Sequence, residues 1–250
     1  MSAALDVLLL RLEGPMMSFG DVAVDALGPT ARYPQASMVT GMLANALGVE
    51  RGQVEVLEGL QASIVYAVRE DRRGSILHDY QTVDLSEPSV SLTGWTTRGE
   101  VEVRGGASGD GTHVRRRQYL ENASYAVALT LRPASAAVPT LDVVAVALRY
   151  PFRPLFLGRK CCVPTVPVLC GRVAAPSLYA ALQGCPVAEQ VRPETRRTPP
   201  PAPRLLRAWW PEGEGPAGGE AVFATDRRDH RLGMHVGRRT LRTGMLQVGQ

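Results

Sequence analysis

An apolar run that stops at a glycine-bounded loop constrains this chain more than any other feature. Leu5 to Glu13 reads as a central strand, and it runs directly into Gly14-Pro15-Met16-Met17-Ser18-Phe19-Gly20. Downstream, Arg32-Tyr33-Pro34 reads as extended backbone, because proline disfavours helix in the residue before it. A helix follows with Ser37 as its expected N-cap. Met38, Val39, Met42, Leu43, Ala46 and Leu47 form its apolar face, and Gly48 stops it. A guanidinium, an aromatic ring and free backbone N–H groups therefore fall in one neighbourhood. Such groups hold phosphates and stacked bases. Ser18, Phe19, Gly20, Arg32, Tyr33 and Ser37 are candidate RNA-contacting residues on this basis.

Charge is distributed unevenly. Residues 1–148 carry 12 basic and 17 acidic side chains, whereas residues 149–250 carry 16 and 7. That asymmetry favours a polyanionic partner for the C-terminal part. Nearly every cation is arginine, with Lys160 the single lysine. Arginine offers a planar fork for phosphate and stacks on bases. Leu5 to Leu12 is short and interrupted by Asp6 and Arg11, unlike a signal peptide, and no apolar run reaches the ~18 residues of a membrane span. Cysteines at 161, 162, 170 and 185 fit no common zinc spacing and no disulfide framework. The expectation is a cytoplasmic protein with reduced cysteines, no metal, no cofactor and no membrane contact.

The coarse element order is strand, helix, strand, long excursion, strand, helix. A short second helix falls near Val54 to Leu60. Strands are expected at Ile64 to Glu70, Ser75 to Asp84 and Tyr119 to Leu131, with a helix at Leu141 to Leu148. One more strand within Val163 to Val173 completes a βαββαβ, ferredoxin-like α+β domain, the layout also used by RNA-recognition modules. This domain is expected over 1–173. A small β-rich extension over 174–250 follows, entered through the proline-rich Pro193 to Pro203 and including a small sheet from Val222 to Leu246. Residues 86–118 are polar and rich in Gly, Ser and Thr. A stretch of that length without a core pattern is disordered or functional.

The glycine cluster at 105–111 follows no apolar strand and opens no helix, so it reads as a hairpin tip rather than a nucleotide loop. Arg115, Arg116 and Arg117 follow it at a strand entrance. They are candidates for gripping phosphate, or else a charged edge that discourages strand pairing. Arg153, Arg159 and Lys160 form a second basic knot around Gly158, for which phosphate positioning is the preferred reading. Arg204 and Arg207 flank prolines and read as a solvated linker. His78-Asp79-Tyr80 tempts an acid–base reading, but neighbours in a strand face opposite sides, and a structural role is favoured. His230 and His235 lie among arginines, which disfavours a metal.

Several of these segments occur together in an order that resembles one family. They are Gly14-Pro15-Met16 through Gly20, Arg32-Tyr33-Pro34 with Ser37, His78-Asp79-Tyr80-Gln81-Thr82-Val83, Arg117-Gln118-Tyr119-Leu120 with Ala123-Ser124-Tyr125, and Leu157-Gly158-Arg159-Lys160-Cys161. The chain resembles, over roughly residues 5–172, the CasD family, the subunit at the crRNA 5′ end of type I-E CRISPR Cascade complexes. The resemblance implies a ferredoxin-like body with a protruding β-hairpin thumb at about 84–118. It implies antiviral defence through binding of the crRNA 5′ handle, capping of the CasC-like backbone filament and contact with the CasA-like large subunit that reads the PAM. Target DNA is then met indirectly through the complex. Arg104 and Tyr119 join the candidate RNA-binding set. Type I-C relatives cut repeat RNA with a Tyr, Lys and His set, whereas this chain has no lysine before Lys160. A non-catalytic scaffold is therefore expected. The alternative is a metal-independent endoribonuclease using Tyr33 or Tyr80 with His78.

Overall fold

The computed structural model describes residues 4–21, 26–84, 94–95, 101–102, 112–132, 138–188 and 204–248. In chain order its elements are β1 (Leu5–Glu13), β2 (Met16–Met17), β3 (Leu27–Gly28), α1 (Ala36–Leu47), α2 (Val54–Ser63), β4 (Ile64–Arg72), β5 (Ser75–Asp84), β6 (Gly94–Trp95) and β7 (Val101–Glu102). There follow β8 (Thr112–Glu121), β9 (Ser124–Leu131), α3 (Leu141–Arg149), β10 (Leu169–Ala175), α4 (Leu178–Gly184), β11 (Arg204–Pro211), β12 (Glu220–Ala224), β13 (Arg227–Asp229), β14 (Met234–Val236) and β15 (Arg239–Val248).

Among the described residues the central sheet has seven strands in the order β10-β1-β9-β4-β11-β15-β12, paired antiparallel throughout. Strand alternation gives it two apolar faces. Leu8, Leu10, Leu12, Tyr66, Val68, Tyr125, Val127 and Trp209 face α1 to α3, whereas Val7, Leu9, Ala67, Ala126, Ala128 and Trp210 face α4. Burial on both sides explains why β1 reads as a nearly unbroken apolar run. The α4 side also holds a charge. Arg69 and Asp71 are fully buried together; Arg69 Nη1 donates to the carbonyls of Leu182 and Cys185, and Asp71 accepts from Ala188 N–H at 3.0 Å. That network ties the last turn of α4 to β4. Among the described residues no helix is long and apolar enough to cross a membrane.

Four sequence expectations need correction. The expected single strand from Tyr119 to Leu131 is two strands. Asn122 adopts φ 54°, which asparagine tolerates, and turns the chain from a smaller sheet into the central one. The strand expected in Val163 to Val173 starts later, at Leu169. Most of the C-terminal strands join the central sheet; among the described residues only β13 and β14 pair as a small two-stranded sheet of their own, within the expected Val222 to Leu246. β11 pairs with β4 at Ala208–Arg69 and Trp209–Val68, so β11, β15 and β12 continue the central sheet beyond the proposed boundary at 173. Finally, Ser37 does not cap α1. The helix starts at Ala36, and its first N–H groups are met by Asp226: Ala36 N–H donates to the carboxylate and Ser37 N–H to the carbonyl, each at 2.8 Å. Local sequence cannot reveal a cap supplied from 190 residues away.

The smaller sheet is centred on β8. It pairs with β2, runs parallel to β3 and forms ten register pairs with β5, from Ser75–Glu121 to Asp84–Thr112. Beyond that ladder, β6 and β7 pair with each other. The glycine cluster at 105–111 and Pro193 to Pro203 lie outside the described residues.

Candidate nucleic-acid interface

Glycine conformation locks two of the sequence motifs together. Gly158 has φ 102°, a region that side chains avoid, and a Cβ there would overlap the Ser18 carbonyl. Ser18 N–H donates to Leu157 O at 3.0 Å, and Leu157 N–H donates to Cys162 O at 2.7 Å. On the other side, a Cβ on Gly14 would lie 2.7 Å from Val163 O. The loop after β1 and the turn at 157–162 are thus pressed backbone to backbone.

The segment from Gly28 to Tyr33 joins them. Ala31 N–H donates to Gly20 O at 2.9 Å, Phe19 N–H to Thr30 Oγ1 at 3.0 Å, and Thr30 N–H to Gln118 Oε1 at 3.4 Å. Arg159 clamps the junction. Its guanidinium donates to Gln118 O at 3.0 Å and Gly28 O at 3.1 Å, and sits 4.7 Å from the Tyr119 ring centroid. A Cβ on Gly28 would stand 2.9 Å from Arg159 Nη2, so a side chain there would push the guanidinium aside. Tyr119 is buried, and its hydroxyl accepts from Cys161 Sγ at 3.6 Å. Burial raises the Tyr119 phenol and, with Cys161 beside it, pushes the Cys162 thiol up to about 12. Both stay neutral, and Cys162 and Cys185 are buried packing residues, whereas Cys161 and Cys170 are exposed.

The predicted residues thus separate into scaffold and surface. Ser18 and Phe19 are buried, Phe19 lying edge-on to Tyr125 at 5.2 Å, so neither presents its side chain to solvent. Arg153 donates to Gly48 O and Val49 O, both at 3.2 Å, and so completes the C-terminus of α1. Ser37 Oγ lies 3.3 Å from His235 Nε2. Gly20 is half-buried in the backbone junction. Arg159 is committed to two carbonyls. Exposed beside this scaffold stand Arg32, Arg116, Arg117 and Lys160, with Arg115 half-buried on β8. Arg116 reaches over the exposed ring of its cross-strand neighbour Tyr80, 5.9 Å from the centroid. Arg104 lies outside the described residues.

Tyr33 takes a position sequence reasoning did not foresee. It stacks on Trp209 of β11, with ring centroids 5.2 Å apart and planes 27° apart. Burial pushes its phenol up, with Asp226 adding to the shift. His78, exposed on β5 opposite Gln118, belongs to the other sheet.

The structure defines an α+β protein whose paired glycine loops carry a basic rim. Comparison with known proteins makes this specific. The model of the family described as CRISPR-associated protein (Cas_Cas5) matches residues 7–248. The chain is 33% identical over 184 residues to the CRISPR system Cascade subunit CasD of Escherichia coli (strain K12), covering 70% of this chain and 75% of that one. Two solved structures are similar. One, a CRISPR RNA-guided surveillance complex, aligns at a TM-score of 0.70 and 27% identity over 97% of this chain and 90% of its own. The other, titled as the crystal structure of a Cas protein, aligns at 0.61 and 26% identity over 96% and 95%. The chain belongs to the Cas5 family of CRISPR-associated proteins, CasD among them.

Proposed function

We propose that this chain is the non-catalytic subunit of a type I-E Cascade complex that holds the 5′ handle of the crRNA. In that role it caps the CasC-like backbone filament and contacts the CasA-like subunit. The observation that carries the reading is the glycine-locked junction of 14–20 with 157–162, which sets exposed Arg32, Arg116, Arg117 and Lys160 on one rigid frame. Rigid backbone with exposed cations suits a single-stranded RNA held by its phosphates while its bases are splayed.

The spatial order β10-β1-β9-β4, with helices joining β1 to β4 and β9 to β10 along the chain, supports a ferredoxin-like body. The β5–β8 ladder is then the base of the thumb. A scaffold role is favoured over cleavage by two features. The single lysine stands at 160, and the Tyr33 phenol is harder to ionise than usual and stacked on Trp209.

The test is incubation of the purified chain with 5′-labelled cognate repeat RNA and a scrambled control, read on native and denaturing gels. A shift that prefers the cognate RNA, without cleavage, supports the scaffold. Cleavage at one position that disappears in His78→Ala overturns it in favour of a processing nuclease.

A further inference from the structure

The C-terminal strands bring a cation to the RNA-facing side of the central sheet that the sequence leaves in a linker. The Ala208–Arg69 and Trp209–Val68 pairs lead Arg207 of β11 toward Glu70 of β4, whose carboxyl it acts on electrostatically. Glu70 in turn pairs with Tyr125 of β9, and Arg207 with Met245 of β15. These residues lie on four adjacent strands. The Tyr125 hydroxyl donates to Arg32 O at 2.8 Å, which fixes Arg32 beside them. Arg73 follows at the end of β4. Trp209, with Tyr33 stacked on it, stands about 7 Å along β11 from Arg207, two residues at ~3.3 Å each.

We propose that Arg207, Arg32 and Arg73 form a phosphate grip for single-stranded RNA beside the Tyr33–Trp209 stack, so that β11 is part of the RNA interface. This rests on the RNA-binding reading above and extends it to the C-terminal strands. All three arginines are exposed, and Glu70 is half-buried among them. Among the described residues none of the three guanidiniums closes a hydrogen bond or an ion pair, unlike Arg69, Arg153, Arg159 and Arg239, each of which is held by at least two acceptors. Three cations around one carboxylate leave a net positive site with free forked donors, suited to a phosphate diester. Burial raises the Glu70 carboxyl, while Arg73, Arg207 and Arg32 beside it pull it down. The aromatic pair is stacked on itself and Trp209 is buried, so the forked donors rather than the rings select a phosphate diester.

The full-length chain is titrated with 5′-labelled repeat RNA and with an oligouridylate of equal length, across a salt series. Arg207→Ala and Arg73→Ala are each expected to weaken both RNAs about tenfold. Each is also expected to flatten the salt slope by about one unit. Glu70→Gln is expected to tighten both RNAs by removing a repelling charge. Lys160→Ala and Arg117→Ala serve as references. If they weaken binding and Arg207→Ala and Arg73→Ala do not, the grip is overturned while handle binding stands. If none of the four weakens binding, the RNA-binding reading falls with it. If Arg207→Ala spares RNA affinity but lowers recovery of partner subunits in a reconstituted complex, the patch faces an acidic protein and the grip is overturned.

Discussion

The Asp226 carboxylate accepts the Ala36 N–H at 2.8 Å and thereby starts a helix 190 residues upstream. The same carboxylate pairs with Arg239 at 2.6 and 2.7 Å, and Arg239 Nη2 donates to the Tyr66 hydroxyl at 2.5 Å. Tyr66 donates onward to Pro34 O at 2.9 Å, beside Tyr33. The C-terminal part therefore holds the Arg-Tyr-Pro segment in place.

Asp226→Ala is expected to lose about 3–5 kcal/mol of stability, since it leaves Arg239 largely buried without its partner. Urea unfolding measures this. The double variant with Arg239→Met should recover part of the loss, because no unpaired charge remains; equal losses in the single and double variants would remove the pair from the account.

Gly158→Ala combines a positive φ with an overlap on Ser18 O. It is expected to cost more than the roughly 1 kcal/mol usual for a side chain in that conformation and to weaken RNA binding by parting the two loops. Gly237→Ala, at φ 74° with open space around it, is the control and should cost only about that 1 kcal/mol. Similar melting temperatures for the two variants would contradict the locked junction.

Arg159→Ala removes two carbonyl bonds and the contact with the Tyr119 ring. A loss of about 1–3 kcal/mol is expected. Arg159→Lys should rescue little, because an ammonium lacks the fork that spans Gln118 O and Gly28 O. Full rescue by lysine would mean that charge alone matters at this position.

His230 is lowered from its ordinary value of 6.5 by burial, with Arg228 adding to the shift against Glu58 and Asp229. Its ring Nε2 is buried without a partner among the described residues. The folded chain therefore binds fewer protons here than the unfolded chain, so stability falls as pH drops below 6.5 toward the folded value. Unfolding measured at about pH 7.5 and about pH 5.5 should show a smaller difference in His230→Gln than in the parent. An unchanged difference would assign the acid sensitivity to other groups.

Much of the fold was legible from local pattern. β1, α1 and α3 follow from apolar periodicity, and Gly14, Gly48 and Gly158 mark places where backbones meet or turn. The ten-residue pairing of β5 with β8 brackets the polar excursion found in the sequence. The break at Asn122 was hidden because Tyr119, Ala123 and Tyr125 share one parity, although Glu121 interrupts the apolar alternation there.

What the sequence by itself determined was the set of elements and the loops able to approach closely, because periodicity and glycine conformation are local properties. Which arginines bear on the scaffold and which face solvent was decided only in three dimensions. Arg153 and Arg159 look like free cations in the chain, yet carbonyls from distant segments consume their donors. Arg207 looks like linker, yet β11 pairing with β4 leads it toward Glu70. A guanidinium's role depends on the acceptors within reach, and long-range strand pairing alone brings those acceptors together.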